Sequence, residues 1–547
     1  MRNSGLSRHR SSHSWIVRLA VTICALPWLT ASAQHDAHAL GTVNMTVSCS
    51  PAAQAEFNHG VALLHHMTYP QARASFERVA SLDSTCAMAH WGIAMSLFQP
   101  LWPTRPSPAD LQRGWKEAQT GLALQSSDRE RKFLATVEAF YAEPAGTDYW
   151  LRIRRWREAT ASLHASLPRD IEASAFHALS LLATAPTDTG TEAAAGRAAD
   201  LLLTVRAQVA DHPGANHYLV HSSDVTGRER ESLEITRKYD AVAPRNPHAL
   251  HMPTHIYTRL GEWPSSINGN MRAAQAALEI PAGDKGQYVW DEFPHAIEYV
   301  VYAYLQRGMD DSALTQLRRL ESTERLEPTF KTAFHLASSR ARYALERHDW
   351  ALAVRSVPRE PAALPWDRFP WAEAVAVFAR GMGGARHGDA RMAATSSERL
   401  TALDSVAQRA GEGLFARNIR VLRMELDAWR AYSEKKTDSA LALLQGAADL
   451  ESSTPKHPVT PAPTIPATEW AGDMLLELER PTDALAQYQH TLTAYPNRFN
   501  SLAGAARAAQ AAGQAALARQ YYEKLLSVAG AESKRPAVAA ARSFLPR

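Results

Sequence analysis

Residues 484–492, ALAQYQHTL, and residues 518–526, ARQYYEKLL, carry the same three side chains at the same places. Ala484, Tyr488 and Leu492 recur as Ala518, Tyr522 and Leu526, each displaced by 34 residues. Within each set the positions are four apart, which puts all three on one face of a helix. Gly472 and Leu475 precede the first set, and Tyr495-Pro496-Asn497 closes it. Each unit thus reads as two helices, with a small residue where they cross and an aromatic where the second packs on the first. Neither helix of such a pair buries its apolar stripe alone, so neighbouring pairs must stack into one continuous core.

This pattern resembles the tetratricopeptide repeat. The N-terminal region shows it again: Phe57, Gly60, Leu63, Ala72, Phe76 and Ala80 fall near the expected positions, Asp83-Ser84 makes a turn, and 87–98 (AMAHWGIAMSLF) opens the next helix. Between the two ends the units are degenerate, but 297–318 and 333–354 (AFHLASSRARYALERHDWALAV) still read as helix, turn, helix. Sustained period-two alternation, the mark of a sheet, is almost wholly lacking. The fold class predicted is all-α, a TPR-like helical-repeat array or α-solenoid.

Proline- and glycine-rich breaks fall at 100–108, 184–190, 355–368 and 451–466 (ESSTPKHPVTPAPTIP), and an exposed turn is predicted at 381–388 (GMGGARHG). They suggest an N-terminal helical region 34–200, a central one 201–360, degenerate repeats 361–450, a Pro/Thr-rich surface loop or linker 451–466, and C-terminal repeats 467–547. Five blocks also resemble a family of bacterial secreted tetratricopeptide-repeat proteins. They are Cys49, FNHGVALLHHMTYPQARASFERVASLD from Phe57, CAMAHWGIAM from Cys86, NHYLVHSSD from Asn216 and HMPTHIYTRLGEW from His251. The resemblance implies the repeat fold and no particular activity.

The first 33 residues stand apart. Arg2, Arg8, Arg10 and Arg18 precede or flank an apolar run, LAVTICALPWL from Leu19 to Leu29, and Ala31-Ser32-Ala33 offers a cleavage site. That is the pattern of a secretory signal peptide, predicting a periplasmic or secreted protein. A membrane anchor would need roughly 20 apolar residues, and a lipid anchor at Cys24 is poorly served by Val21 and Ile23. No later stretch is long and apolar enough to span a bilayer. Losing those four arginines takes the formal charge from +3 to −1, which removes any whole-chain argument for nucleic acid. Cys49 and Cys86 then remain as either a disulfide or two buried thiols.

The histidines carry the chemistry. His217 and His221 are four apart on one helical face, and His251 and His255 repeat that spacing 34 residues later. In a repeat array such positions lie on equivalent helices of neighbouring units, so the four rings can meet across one groove. His248 and Asp224 extend the two stripes. Imidazoles beside a carboxylate suit Zn²⁺, Cu²⁺ or Fe²⁺, although no HExxH is present. Pro253 leaves two readings: a helix beginning there, which separates His251 from His255, or a helix capped by Asn246 that passes through Pro253 and keeps 248, 251 and 255 together. Further candidates are His66 (with His65 adjacent), His90, and His295 with Glu298. Histidines on the inner face of a repeat array can equally hydrogen-bond across the stack. Two functions follow: a scaffold that binds a protein or peptide partner on its concave face, or a metalloprotein, even a metal-dependent enzyme, with a histidine-lined site between neighbouring repeats. A purely architectural part in an envelope complex is a third.

Overall fold

The computed structural model describes residues 39–102, 104–146, 148–185 and 191–545. The signal sequence expected over 1–33 lies outside them. Among the described residues, 26 α-helices run from Pro51–His65 to Pro536–Phe544, with one two-residue hairpin, Pro281–Ala282 against Tyr288–Val289. Most helices pack on their neighbours in the sequence and repeatedly on the next but one. This is an all-α helical-repeat solenoid, and no described helix is long and apolar enough to cross a membrane.

The two ends show why those residues make that fold. Phe76, on helix Tyr69–Leu82, pushes its ring between Gly60 and Gly92 of the flanking helices; a Cβ on Gly60 would stand 2.9 Å from the ring, and one on Gly92 would overlap it. Tyr488, on Pro481–Ala494, sits in the same way between Gly472 and Gly504, with 2.8 Å left for a Cβ at Gly472 and overlap at Gly504. The aromatic is the wedge of each pair, and glycine is required where the wedge arrives. At the N-terminus the extended segment before Pro51 is tied down by side chains: Gln54 bonds Met45 and Val47, and Glu130 accepts the Ser48 N–H. Cys49 and Cys86 form a disulfide with Cα atoms 5.0 Å apart.

Two predicted surface breaks are corrected. Residues 381–388 are not an exposed turn: the helix Pro370–His387 runs through them and ends on left-handed Gly388. Their glycines admit a neighbour, since a Cβ on Gly383 would meet Val354 N at 2.5 Å. The 451–466 stretch is a loop from 453 onward, after helix Thr437–Ser452, but it turns inward. His457, Val459, Thr460, Ala462 and Thr464 are buried. The Arg342 guanidinium donates to the carbonyls of Ala462 (2.6 Å), Pro463 (2.8 Å) and Thr464 (3.2 Å), so the loop's buried carbonyls find partners.

Candidate metal centre

Helices Pro213–Ser223, Pro247–His251, Pro253–Leu260, Glu292–Leu305 and Phe330–Leu345 carry the histidines, and the inward loop passes over them. Asn246 caps the second by accepting the Ala249 N–H at 3.1 Å. Met252 keeps helical angles (φ −54°, ψ −42°), and its N–H still reaches the His248 carbonyl at 2.9 Å. The chain therefore passes through Pro253 as a helix, and 248, 251 and 255 stay on one side.

His217, His221 and His248 bring one ligand nitrogen each to within 4.8 Å of one another, as do His251, His255 and His295. The two triads adjoin: ring centres lie 6.1 Å apart from His248 to His251 and 6.2 Å from His221 to His255. His221, His248, His255 and His295 border a cavity of about 30 Å³, lined on its apolar side by Leu101, Trp102, Pro458 and Val459.

The hydrogen bonds behind the rings fix where their protons sit. His217 Nδ1–H donates to the His65 carbonyl at 2.6 Å, and His248 Nδ1–H to the Glu292 carboxylate at 3.3 Å. His255 Nδ1–H donates to Asp224 at 2.8 Å. His251 Nδ1–H donates to Asn270 Oδ1 at 2.6 Å; the Asn270 amide donates to the Ser266 carbonyl at 2.8 Å, which fixes which of its ends accepts. His335 gives its Nδ1–H to Glu298, and its Nε2, bare in the neutral ring, accepts His295 Nδ1–H at 2.8 Å. Five of the six rings thus hold their proton on Nδ1; four of these protons go to groups outside the pocket lining, and that of His248 goes to Glu292, which lines the pocket. Their Nε2 lone pairs face inward, the arrangement by which proteins set a histidine for metal ligation. His251 and His255 point Nε2 at Nε2 across 2.8 Å, His217 and His221 across 3.2 Å. The buried Nε2 of His248 has no partner among the described residues.

Burial, reinforced by neighbouring imidazoles, holds His217, His221, His251 and His295 well below the ordinary imidazole value, and burial lowers His255 against the pull of Asp224. These five shifts favour the neutral form, which is the form that ligates. Burial would raise the Glu292 and Asp224 carboxyls, but Lys331 at the first and Lys456 with Arg259 at the second outweigh it and hold both well below the usual range.

Several expected residues stand elsewhere. His66 is satisfied by the Tyr239 hydroxyl (2.8 Å) and the Leu40 carbonyl (3.0 Å), and His90 pairs with Glu117 at 2.6 Å; neither joins the triads. Asp224 and Glu298 support histidines from behind instead of facing the pocket. A third group of possible ligands, His65, Glu172 and His212, also lies within 4.8 Å, but ordinary protons complete it. Glu172 accepts from His65 (2.7 Å) and His212 (3.1 Å), while Tyr218 O–H and Ala215 N–H supply the rings' other nitrogens. Sequence reading missed Glu292, Asn270 and His335. Glu292 precedes His295 by three residues, a helical-face signal; His335 is too far along the chain to give one.

No family model matches the sequence, and no curated protein matches it. Among solved structures the chain is similar to one in the crystal structure of the APC/C hetero-tetramer Cut9–Hcn1, with 12% identity, 90% of each chain covered and a TM-score of 0.34. It is also similar to the human IFIT1 dimer with m7Gppp-AAAA, with 12% identity over 81% of this chain and 90% of that one and a TM-score of 0.37. At that level of likeness neither structure bears on what the histidine pocket holds.

Proposed function

We propose that this protein is a metalloprotein whose transition-metal ion, Zn, Cu or Fe, sits on His251, His255 and His295 between neighbouring helix pairs. The observation that carries the reading is the meeting of His251 and His255 Nε2 at 2.8 Å, with both Nδ1 protons already given to Asn270 and Asp224. Two lone pairs facing each other in a dry interior repel, and a cation between them turns the repulsion into ligation. A tetrahedral ion with bonds of about 2.0–2.1 Å spaces its nitrogens about 3.4 Å apart, so His251 and His255 need part by only a fraction of an ångström to admit it.

Three neutral ligands leave a coordination position open, and the adjoining cavity gives a bound water room. An ion there supplies Lewis acidity or, if copper or iron, redox chemistry. The helical array is the frame that the scaffold and metal readings share. Burial of the rings favours metal over contact with a peptide. Export, expected from residues 1–33 and in keeping with the disulfide, would put the centre in an oxidising compartment.

The test is elemental analysis of protein purified without chelators. Close to one or more equivalents of Zn, Cu or Fe are expected, with the triad's share lost in a His251→Ala/His255→Ala variant that keeps its helical circular dichroism. Unchanged metal content in that variant would sink the assignment.

A further inference from the structure

The second triad shares part of the first's construction, although among the described residues no outer bond fixes the proton of His221 as Asn270 and Asp224 fix those of His251 and His255. His217 Nδ1 is committed to the His65 carbonyl, its Nε2 faces that of His221 at 3.2 Å, and His248 brings a buried Nε2 with no partner among the described residues. His248 is held from behind by Glu292, as His255 is by Asp224. Ring centres 6.1–6.2 Å apart across the triads place the two ligand sets side by side, as a two-metal site requires.

Charge bears on which metal. Four carboxylates, Asp224, Asp291, Glu292 and Glu298, support the histidines or the ion pairs next to them. They pair with four cations: Arg259 and Lys456 on Asp224, Lys331 on Asp291 and Glu292, and Arg342 on Glu298. This shell is neutral as it stands and offers no spare negative charge. Two divalent ions would bring four uncompensated charges into a buried site, whereas two monovalent ions bring two. The ligands are neutral nitrogens with no carboxylate or thiolate among them, a set that suits copper, and copper is the biological metal that enters such a site as a monocation.

We propose, resting on the metal reading above, that the pocket is a binuclear copper site with one ion on each three-histidine set, filled as Cu(I).

The test is anaerobic titration of the metal-free full chain with Cu(I) against a chromophoric Cu(I) chelator, with Zn(II) titrated in parallel. Two Cu(I) per chain are expected, falling to one in His221→Ala, whose side chain lies at the pocket edge. Should that variant lose its helical circular dichroism, His248→Asn serves in its place, and the wild-type stoichiometry needs no variant. One Cu(I) in the wild type overturns the binuclear site while the metal centre stands. Two Zn(II) held more tightly than Cu(I) overturn the choice of copper. No binding of either metal overturns this proposal and the metalloprotein reading together. Two Cu(I) retained by both variants place the second ion elsewhere and overturn the second triad.

Discussion

Replacing Asp224 with asparagine should cost both stability and metal affinity, and the two losses have separate origins. Asp224 follows helix Pro213–Ser223 and accepts four charge-assisted bonds. Arg259 reaches its carboxylate at 2.5 Å and its carbonyl at 2.7 Å, Lys456 at 2.9 Å and His255 at 2.8 Å. Its asparagine analogue keeps the shape and still accepts from His255, but leaves two cations facing a neutral amide. Removing one partner of a buried ion pair costs about 3–5 kcal/mol. The Arg259 and Lys456 side chains keep 12% and 13% exposure, so the loss, discounted for screening, is expected to fall to about 2–3 kcal/mol. The second loss arises because a ring bonded to an amide is a poorer ligand than one bonded to a carboxylate. Losing such support costs about 10–100-fold in metal affinity, or about 1.4–2.7 kcal/mol. Urea unfolding of the metal-free variant measures the first, and competition titration with Cu(I) or Zn(II) the second. A fall in stability with affinity unchanged would remove Asp224 from the metal centre. A stability loss below about 1 kcal/mol would show that the Arg259–Asp224–Lys456 cluster is not the anchor described here.

Two further substitutions test the frame. Gly504→Ala should drive a methyl into the Tyr488 ring; overpacking of about 1–3 kcal/mol, less about 1 kcal/mol for alanine's helix preference, leaves a loss of about 0–2 kcal/mol in urea unfolding, and a gain would refute the wedge. Glu451→Gln should stabilise, because burial pushes that carboxyl from 4.5 up to about 8 and one oxygen has no partner among the described residues. With the folded value raised, the wild type's stability from this group is complete below pH 4.5 and is lost as pH rises towards 8, at about 1.4 kcal/mol per unit. Discounted for the side chain's partial exposure, the variant should gain about 2 kcal/mol at pH 7 and almost nothing at pH 4.5; a gain independent of pH would contradict the linkage.

What the sequence discloses here follows the range of each interaction. The helix pairs are legible because the wedge and its glycines recur at fixed short spacing, as with Phe76 and Tyr488. The paired histidines are legible for the same reason, and Asn246 already announces the helix that carries His248, His251 and His255 through Pro253. Local composition misled where a distant partner rewrote its meaning. GMGGARHG resembles a turn, but Gly383 is small because the Val354 backbone passes against it. The Pro/Thr-rich loop has the composition of a surface segment until Arg342, more than a hundred residues earlier, satisfies its carbonyls. His66 and His90 were candidates by residue type alone, and only the fold shows that Tyr239, Leu40 and Glu117 already complete them.

The contrast between the two kinds of histidine cluster in this one molecule bears most directly on function. Around Glu172 every ring nitrogen meets either a proton donor or an acceptor for the proton it carries, and the buried group is complete without an ion. In the pocket between helix pairs, the carbonyl of His65, the side chains of Asn270, Asp224 and Glu292, and the ring of His335 have each drawn a proton to the outer side of a histidine. Adding protons on the inner side would make imidazoliums crowded against one another in a buried space, each raising the cost of the next. Rotating the rings would break the outer bonds and strand their partners. A metal ion accepts several lone pairs at once and leaves every outer bond intact, so the geometry that is frustrated for protons is satisfied for a cation. The backs of the rings, more than their number, separate a ligand set from a hydrogen-bonded core.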